Sequence, residues 1–200
     1  EPVIEAIKEN IPLGPLHNPA NLMGIQACQK VMPNTPMVAV FDTAFHQTMP
    51  PKAFLYGVPM DYYKRLKVRR YGFHGTSHRY VSARAAEFLG KKAEELRIIT
   101  CHLGNGSSIC AVDHGKCVDT SMGMTPLEGL VMATRSGTVD PGLVLWLAEH
   151  VGMPPAELAA TLEHRSGLLG LAGTDDMRGE LAGAEAGEAN PRLALDVYLH

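Results

Sequence analysis

The chain has 200 residues, 46% of them hydrophobic and 20% charged, enough for one large domain or parts of two. A net charge of −3 gives no global reason to expect a polyanionic partner, and no apolar run is long enough to span a bilayer. Four cysteines without a Cys-x-x-Cys pair, and no secretory leader, fit a reduced, cytoplasmic protein.

In chain order, residues 2–10 read as a helix, 12–19 as a loop and 21–31 as a second helix. His17-Asn18-Pro19 before Asn21 has the form of an N-cap followed by a first-turn proline. The run 37–41 is continuously apolar, as in a strand buried on both faces, and ends at Asp42. An Asp there either caps a turn or stands where open α/β sheets place ligand groups. Thr48-Met49-Pro50-Pro51 reads as a linker.

Residues 61–67 are helical and basic. Tyr71-Gly72-Phe73-His74-Gly75-Thr76-Ser77-His78 is irregular, and Thr76 or Ser77 is placed to cap a helix over 79–89 that stops at Gly90. Three strands follow, 97–103, 108–113 and 116–121, with Ile99, Cys101 and Leu103 sharing one face. Helices are predicted at 126–134, 142–151 and 155–163, then a Gly/Leu-rich segment at 166–173. Strands followed by helices predict an α/β domain with a mixed β-sheet flanked by helices. Glu1 opens and His200 closes inside helical patterns, so a piece of a longer chain is expected.

The strongest local signal is His102-Leu103-Gly104-Asn105-Gly106-Ser107-Ser108 between the first two strands. Small residues there let backbone approach a ligand, and successive amides form a concavity suited to phosphate. A plain hairpin turn is the alternative, and the run is neither a P-loop nor a dinucleotide fingerprint. His17, Asp42, His74, Asn105 and Arg135 are further polar groups in apolar or Gly-rich settings. Cys101, His102, Cys110, His114 and Cys117 are zinc-ligand types, but their spacing matches no usual pattern and no metal ligand is assigned; Cys110 and Cys117 do straddle a hairpin turn. The basic run 64–70 among tyrosines reads as a solvated face, and no nucleic-acid partner is expected.

Taken together, His17-Asn18-Pro19 with Asn21, the run 40–46, the run 71–78, the run 102–108, Thr125-Pro126-Leu127-Glu128-Gly129, and Thr134-Arg135-Ser136-Gly137 with Asp140-Pro141-Gly142 resemble the acetate kinase family in order and spacing. That family lies within the acetate and sugar kinase, chaperone and actin superfamily. The resemblance implies a ribonuclease H-like, actin-like duplicated fold, with 1–46 ending a first domain and 47–200 forming most of a second. It implies reversible phosphoryl transfer from ATP to acetate, giving acetyl phosphate and ADP, with Mg²⁺. His102, Leu103, Gly104, Asn105 and Gly106 would hold the nucleotide phosphates, and Asp176, Met177 and Arg178 the nucleoside. Asp42, His74 and Arg135 would be catalytic. Leu16, His17, Phe73 and Pro126 would line the small acyl pocket. A cytoplasmic homodimer without membrane contact is also implied. The family's Gly-Ser-Ser-Ser-type N-terminal segment, a second substrate Arg, the later adenine loop and a metal-ligand Glu are absent, so the 200 residues alone are expected to have little or no kinase activity. Propionate or butyrate kinase, or a non-catalytic module of this fold, are the alternatives.

Overall fold

The computed structural model describes residues 2–14 and 17–200. Leu16, expected in the acyl pocket, therefore lies outside the described residues. The chain forms two compact units, 1–39 and 40–200.

The first unit is a helical pair. Helix α1 (Pro2–Glu9) leads through a 3-10 turn (Ile11–Leu13) to α2 (Asn18–Val31), burying Ile7 and Leu22. Pro19 occupies the first turn of α2, where its missing N–H costs nothing. His17 is the N-cap residue, but its side chain makes no capping bond. Asn18 instead donates from Nδ2 to Asn10 O at 2.9 Å, tying the loop together.

The expected strand at 37–41 is not formed. The run has no regular secondary structure and is exposed, with Val38 at 87%. A strand needs a neighbour for its backbone donors and acceptors, and none pairs with it among the described residues.

The second unit centres on an antiparallel meander of β1 (Arg97–Leu103), β2 (Ser107–Asp113) and β3 (Lys116–Thr120). The α/β class holds, with every described strand pairing antiparallel to its neighbour. Leu103 pairs with Ser107, so the Gly-rich run is the β1–β2 hairpin loop. His114 and Gly115 turn the next hairpin with φ of 52° and 78°, the left-handed pair that suits the strands' twist. Ile99, Cys101 and Leu103 do share a face, but it is the exposed one.

On the other face Cys110, Val112 and Cys117 pack with Met49, Phe45, Phe54 and Ile98. Met49, expected in a linker, is instead buried in this core, and the exposed Thr48 donates from Oγ1 to Cys117 O at 2.7 Å. Around the sheet lie a 3-10 turn (Ala44–Thr48), α3 (Pro51–Phe54), α4 (Met60–Leu66) and α5 (Gly75–Phe88). Beyond it come α6 (Pro141–His150), α7 (Pro155–His164), α8 (Gly167–Ala172), α9 (Met177–Glu185) and α10 (Ala189–Leu199). Among the described residues, no helix is long and apolar enough to cross a membrane.

The helix expected at 126–134 is replaced by irregular chain. Gly129 has φ of 115°, and Thr138 N donates back to its carbonyl at 2.9 Å. From the basic run, Arg70 reaches into this region: Nη1 donates to the carbonyls of Thr120, Ser121 and Met122, and Nη2 to Glu128 at 2.7 Å. Arg69 lies over the Phe54 ring, 3.8 Å from its centroid. Part of the run is therefore structural and is not a wholly solvated face.

Candidate active site

Three segments converge at the β1–β2 loop. The first is the strap 71–74, which Gly123 O fixes by accepting from the amides of Tyr71 and Gly72. A Cβ on Gly72 would stand 2.5 Å from Thr120 Cγ2 and 2.7 Å from the His46 ring, so only glycine lets the strap lie this close. His74 ends the strap in a left-handed conformation (φ 58°) at the N-cap of α5. A non-glycine residue there is sparsely populated and needs its surroundings to hold it.

Asp42 supplies that hold. Its Oδ2 accepts from the His74 amide at 2.8 Å, and its carbonyl accepts from the Gly75 amide at 2.8 Å. Thr76 and Ser77, expected to cap the helix, do not; Ser77 Oγ bonds His102 Nδ1 at 2.9 Å. Asp42 thus tethers the helix start, and its Oδ1, at an exposed position, has no hydrogen-bond partner among the described residues.

The second segment is β1 with its loop. The His102 ring stacks on that of His74, centroids 3.9 Å apart. His74 Nδ1 meets Ser108 Oγ at 2.9 Å, and the same hydroxyl meets His78 Nε2 at 2.8 Å. His78 Nδ1 meets Thr100 Oγ1 at 2.8 Å. Burial, then the neighbouring His46, His74 and His102, push the His78 pKa down to about 4. Burial first, then His102, lowers that of His74, which Asp42 partly opposes. Both rings are therefore neutral near pH 7 with one N–H each. Two proton arrangements satisfy the chain. In one, Thr100 donates to His78, His78 to Ser108 and Ser108 to His74, leaving the His74 Nε2–H directed to the loop.

The third segment carries Arg135. Helix α8 positions it: the amides of Ser166, Leu168 and Leu169 donate to the carbonyls of Thr134, Met132 and Ala133. A Cβ on Gly167 would stand 2.1 Å from Met132 O, and its φ of 62° also requires glycine. Arg135 Nη1 makes only long contacts, 3.5 Å to Pro126 O and 3.9 Å to Met132 Sδ. Its guanidinium has no carboxylate partner among the described residues.

These groups meet at Gly106. A Cβ there would lie 3.0 Å from Arg135 Nη1 and 3.5 Å from His74 Nε2. A Cβ on Gly104 would lie 3.6 Å from His102 Nε2. The amides of Asn105 and Gly106 have no acceptor among the described residues. A permanent cation, two imidazole edges and open amides over a loop without side-chain bulk form a seat for anionic oxygens. That donor set fits nucleotide phosphates. Asp42 is the acidic group beside it, and a lone carboxylate suits Mg²⁺ held through water.

Leu103 and Asn105 are exposed at the loop, while Phe73 is half-buried and its carbonyl accepts from His46 Nε2 at 2.8 Å. Asp176 N-caps α9 and pairs bidentately with Arg178, on either side of Met177; its amide donates to Thr174 Oγ1 and its carbonyl accepts from the Glu180 amide. His17 belongs to the first unit and is exposed. Residue-by-residue reading missed Ser77, His78 and Ser108, although all three stand inside the quoted motifs.

Comparison with known proteins agrees with this geometry. The acetokinase family model matches residues 1–200. Acetate kinase of Thermotoga maritima is 59% identical over 99% of this chain and 50% of its own length. That of Carboxydothermus hydrogenoformans is 55% identical over 100% and 50%. Porphyromonas gingivalis acetate kinase superposes with a TM-score of 0.94 at 50% identity, over 98% of this chain and 49% of its own. A Francisella tularensis propionate kinase superposes with a TM-score of 0.93 at 48% identity, over 98% and 50%. The chain thus spans about half the length of these relatives. It belongs to the acetokinase family.

Proposed function

We propose that the chain is the central part of a carboxylate phosphotransferase that moves the γ-phosphoryl group of ATP to acetate, reversibly and in line. The observation that carries this reading is the convergence of Arg135 and His74 on Gly106, with His102 stacked behind. Phosphoryl transfer needs positioning and charge stabilisation more than covalent help. Donor and acceptor are both anions, so their encounter requires cationic and hydrogen-bonding groups at the meeting point. Arg135 offers a planar cation able to bind two oxygens at once. His74 offers a neutral Nε2–H in one of the two proton arrangements that the Thr100–His78–Ser108–His74 chain allows. Amides at 105–106 and His102 bind the remaining phosphates. Phe73 and Pro126 wall the acyl side in this reading. Asp176, Met177 and Arg178 contact the nucleoside.

Mg²⁺, when bound, neutralises charge on the phosphates. Asp42 orients metal-bound water or the acceptor. It is not a general base, because a carboxylic acid of pKa about 4–5 is already ionised at pH 7. The reading includes a cytoplasmic homodimer, with 1–46 closing a first domain and 47–200 belonging to a second.

The test is acyl phosphate formation from ATP by the intact protein with acetate, propionate and butyrate. Preference for acetate supports the proposal. Preference for a longer acid favours propionate or butyrate kinase, a reading the Francisella neighbour supports. ATP binding without turnover on any acid overturns the enzyme reading. The isolated 200-residue chain is expected to form little or no acetyl phosphate.

A further inference from the structure

Behind the strap, the second unit buries a cluster that phosphoryl transfer does not use. His46 from the 3-10 turn, Cys110 from β2 and Cys117 from β3 are each 0% exposed. One donor atom from each, His46 Nδ1 and the two Sγ atoms, all lie within 4.8 Å of one another. We propose that these three residues form a binding site for one thiophilic d10 cation of the zinc(II) class.

Three observations carry it. First, the sulfurs are 3.5 Å apart, and His46 Nδ1 is 3.2 Å from Cys117 Sγ. Two thiolates each about 2.3 Å from one tetrahedral zinc(II) stand about 3.8 Å apart. A disulfide requires about 2.05 Å, so the spacing fits shared ligation and not a closed bond.

Second, the imidazole is oriented as metal-binding histidines are. Phe73 O accepts from His46 Nε2 at 2.8 Å, and a carbonyl can only accept. The proton is thereby placed on Nε2, and the Nδ1 lone pair faces the sulfurs. Third, the surroundings are apolar, with Phe45 and Met49 packed against the cysteines. Two soft sulfurs and one imidazole select thiophilic ions, whereas Mg²⁺ takes oxygen ligands, so this site is separate from the reaction's metal. The carbonyl of Asp119, 3.6 Å from Cys117 Sγ, is available as a further donor.

Binding a divalent ion expels both thiol protons to solvent and forms two metal–sulfur bonds and one metal–nitrogen bond. Because the cluster joins the 3-10 turn to two strands and is closed to solvent, loading accompanies folding or opening of this unit.

The test uses the intact protein, unfolded and refolded under reducing conditions with cobalt(II) as the probe. One equivalent should bind, with thiolate-to-cobalt charge-transfer absorption that zinc(II) abolishes, and zinc should raise Tm. The band should be lost in Cys110→Ser and in Cys117→Ser but kept in the double variant Cys28→Ser, Cys101→Ser. If a serine variant does not refold, cadmium NMR of the unaltered protein reads the donors directly, two sulfurs and a nitrogen being expected. No band in refolded protein, a band that persists in both serine variants, or a cadmium shift without sulfur donors overturns the proposal.

Discussion

The imidazoles of His74 and His102 stack with centroids 3.9 Å apart and planes inclined by 20°. Each is pinned at Nδ1 by a serine hydroxyl, Ser108 for His74 and Ser77 for His102. A charge on both rings would be costly at this distance, and the His102 ring lowers the proton affinity of His74. Burial remains the larger cause for His74. His102→Gln should therefore raise the His74 pKa only part of the way to that of a free imidazole. An imidazole NMR titration checks this, and an unmoved pKa would assign the depression to burial alone.

Ser108 is wholly buried and its hydroxyl serves two rings. Ser108→Ala leaves a nitrogen of His74 and one of His78 unpaired. Each buried orphan costs about 1–3 kcal/mol, so stability to urea should fall by roughly that amount or more. Under the proposed function, releasing the His74 ring should also lower kcat more than it raises KM. A pure KM effect would show that Ser108 does not orient His74 for the transfer.

Gly106 and Gly75 should behave oppositely when changed to Ala. At Gly106 the new Cβ meets the end of a side chain, Arg135 Nη1 at 3.0 Å, which can move. Folding should survive within about 0.5 kcal/mol. Under the role proposed for Arg135, a displacement of up to about 1 Å can cost about 100-fold in rate, so kcat should fall steeply. At Gly75 the Cβ meets backbone, Asp42 O at 2.3 Å, and the variant should lose stability together with activity. Paired unfolding and kinetic measurements separate the two cases.

What the sequence revealed follows from the range of the forces involved. Strands β1 to β3 were legible because alternation and the Asp113-His114-Gly115 turn are local signals. The loop between β1 and β2 was legible as a tight turn from its small residues. The irregular chain at 126–134 was not, because it is shaped by Arg70, more than fifty residues upstream, and by a glycine in a non-helical conformation. The His46–Cys117 contact spans 71 positions, and spacing rules for metal sites look for neighbours. The run 37–41 carries an interior pattern without a pairing neighbour among the described residues.

Tyr56 provides a pH test away from the phosphate seat. Its hydroxyl donates to Glu128 Oε2 in a very short bond and accepts from the Met124 amide at 2.9 Å. Burial, then the hydrogen bond to Glu128, raises its pKa to about 12. An acid with a raised folded pKa stabilises the fold fully below its unfolded value of about 10, and that contribution is lost as pH rises through 12. Alkaline unfolding of the wild type should therefore steepen across that window. Tyr56→Phe should be less stable at neutral pH and should lack one late-titrating phenolate in the ultraviolet spectrum.

Asp42 has two separable duties. As a tether, Oδ2 accepts the His74 amide proton, and the backbone carbonyl takes that of Gly75. In the proposed function its exposed carboxylate also serves at the edge of the phosphate seat. Asp42→Asn keeps an amide oxygen able to accept from His74 and leaves the backbone carbonyl unchanged, so Tm should hold within a few degrees for a loss under about 1 kcal/mol. It removes the charge, so activity should fall by more than about 100-fold, a step of roughly 2.7 kcal/mol in transition-state stabilisation. Asp42→Ala removes both duties and should lower Tm as well. If Asp42→Asn keeps most of the activity at saturating Mg²⁺, the charge is dispensable and Asp42 serves only to start α5 in register.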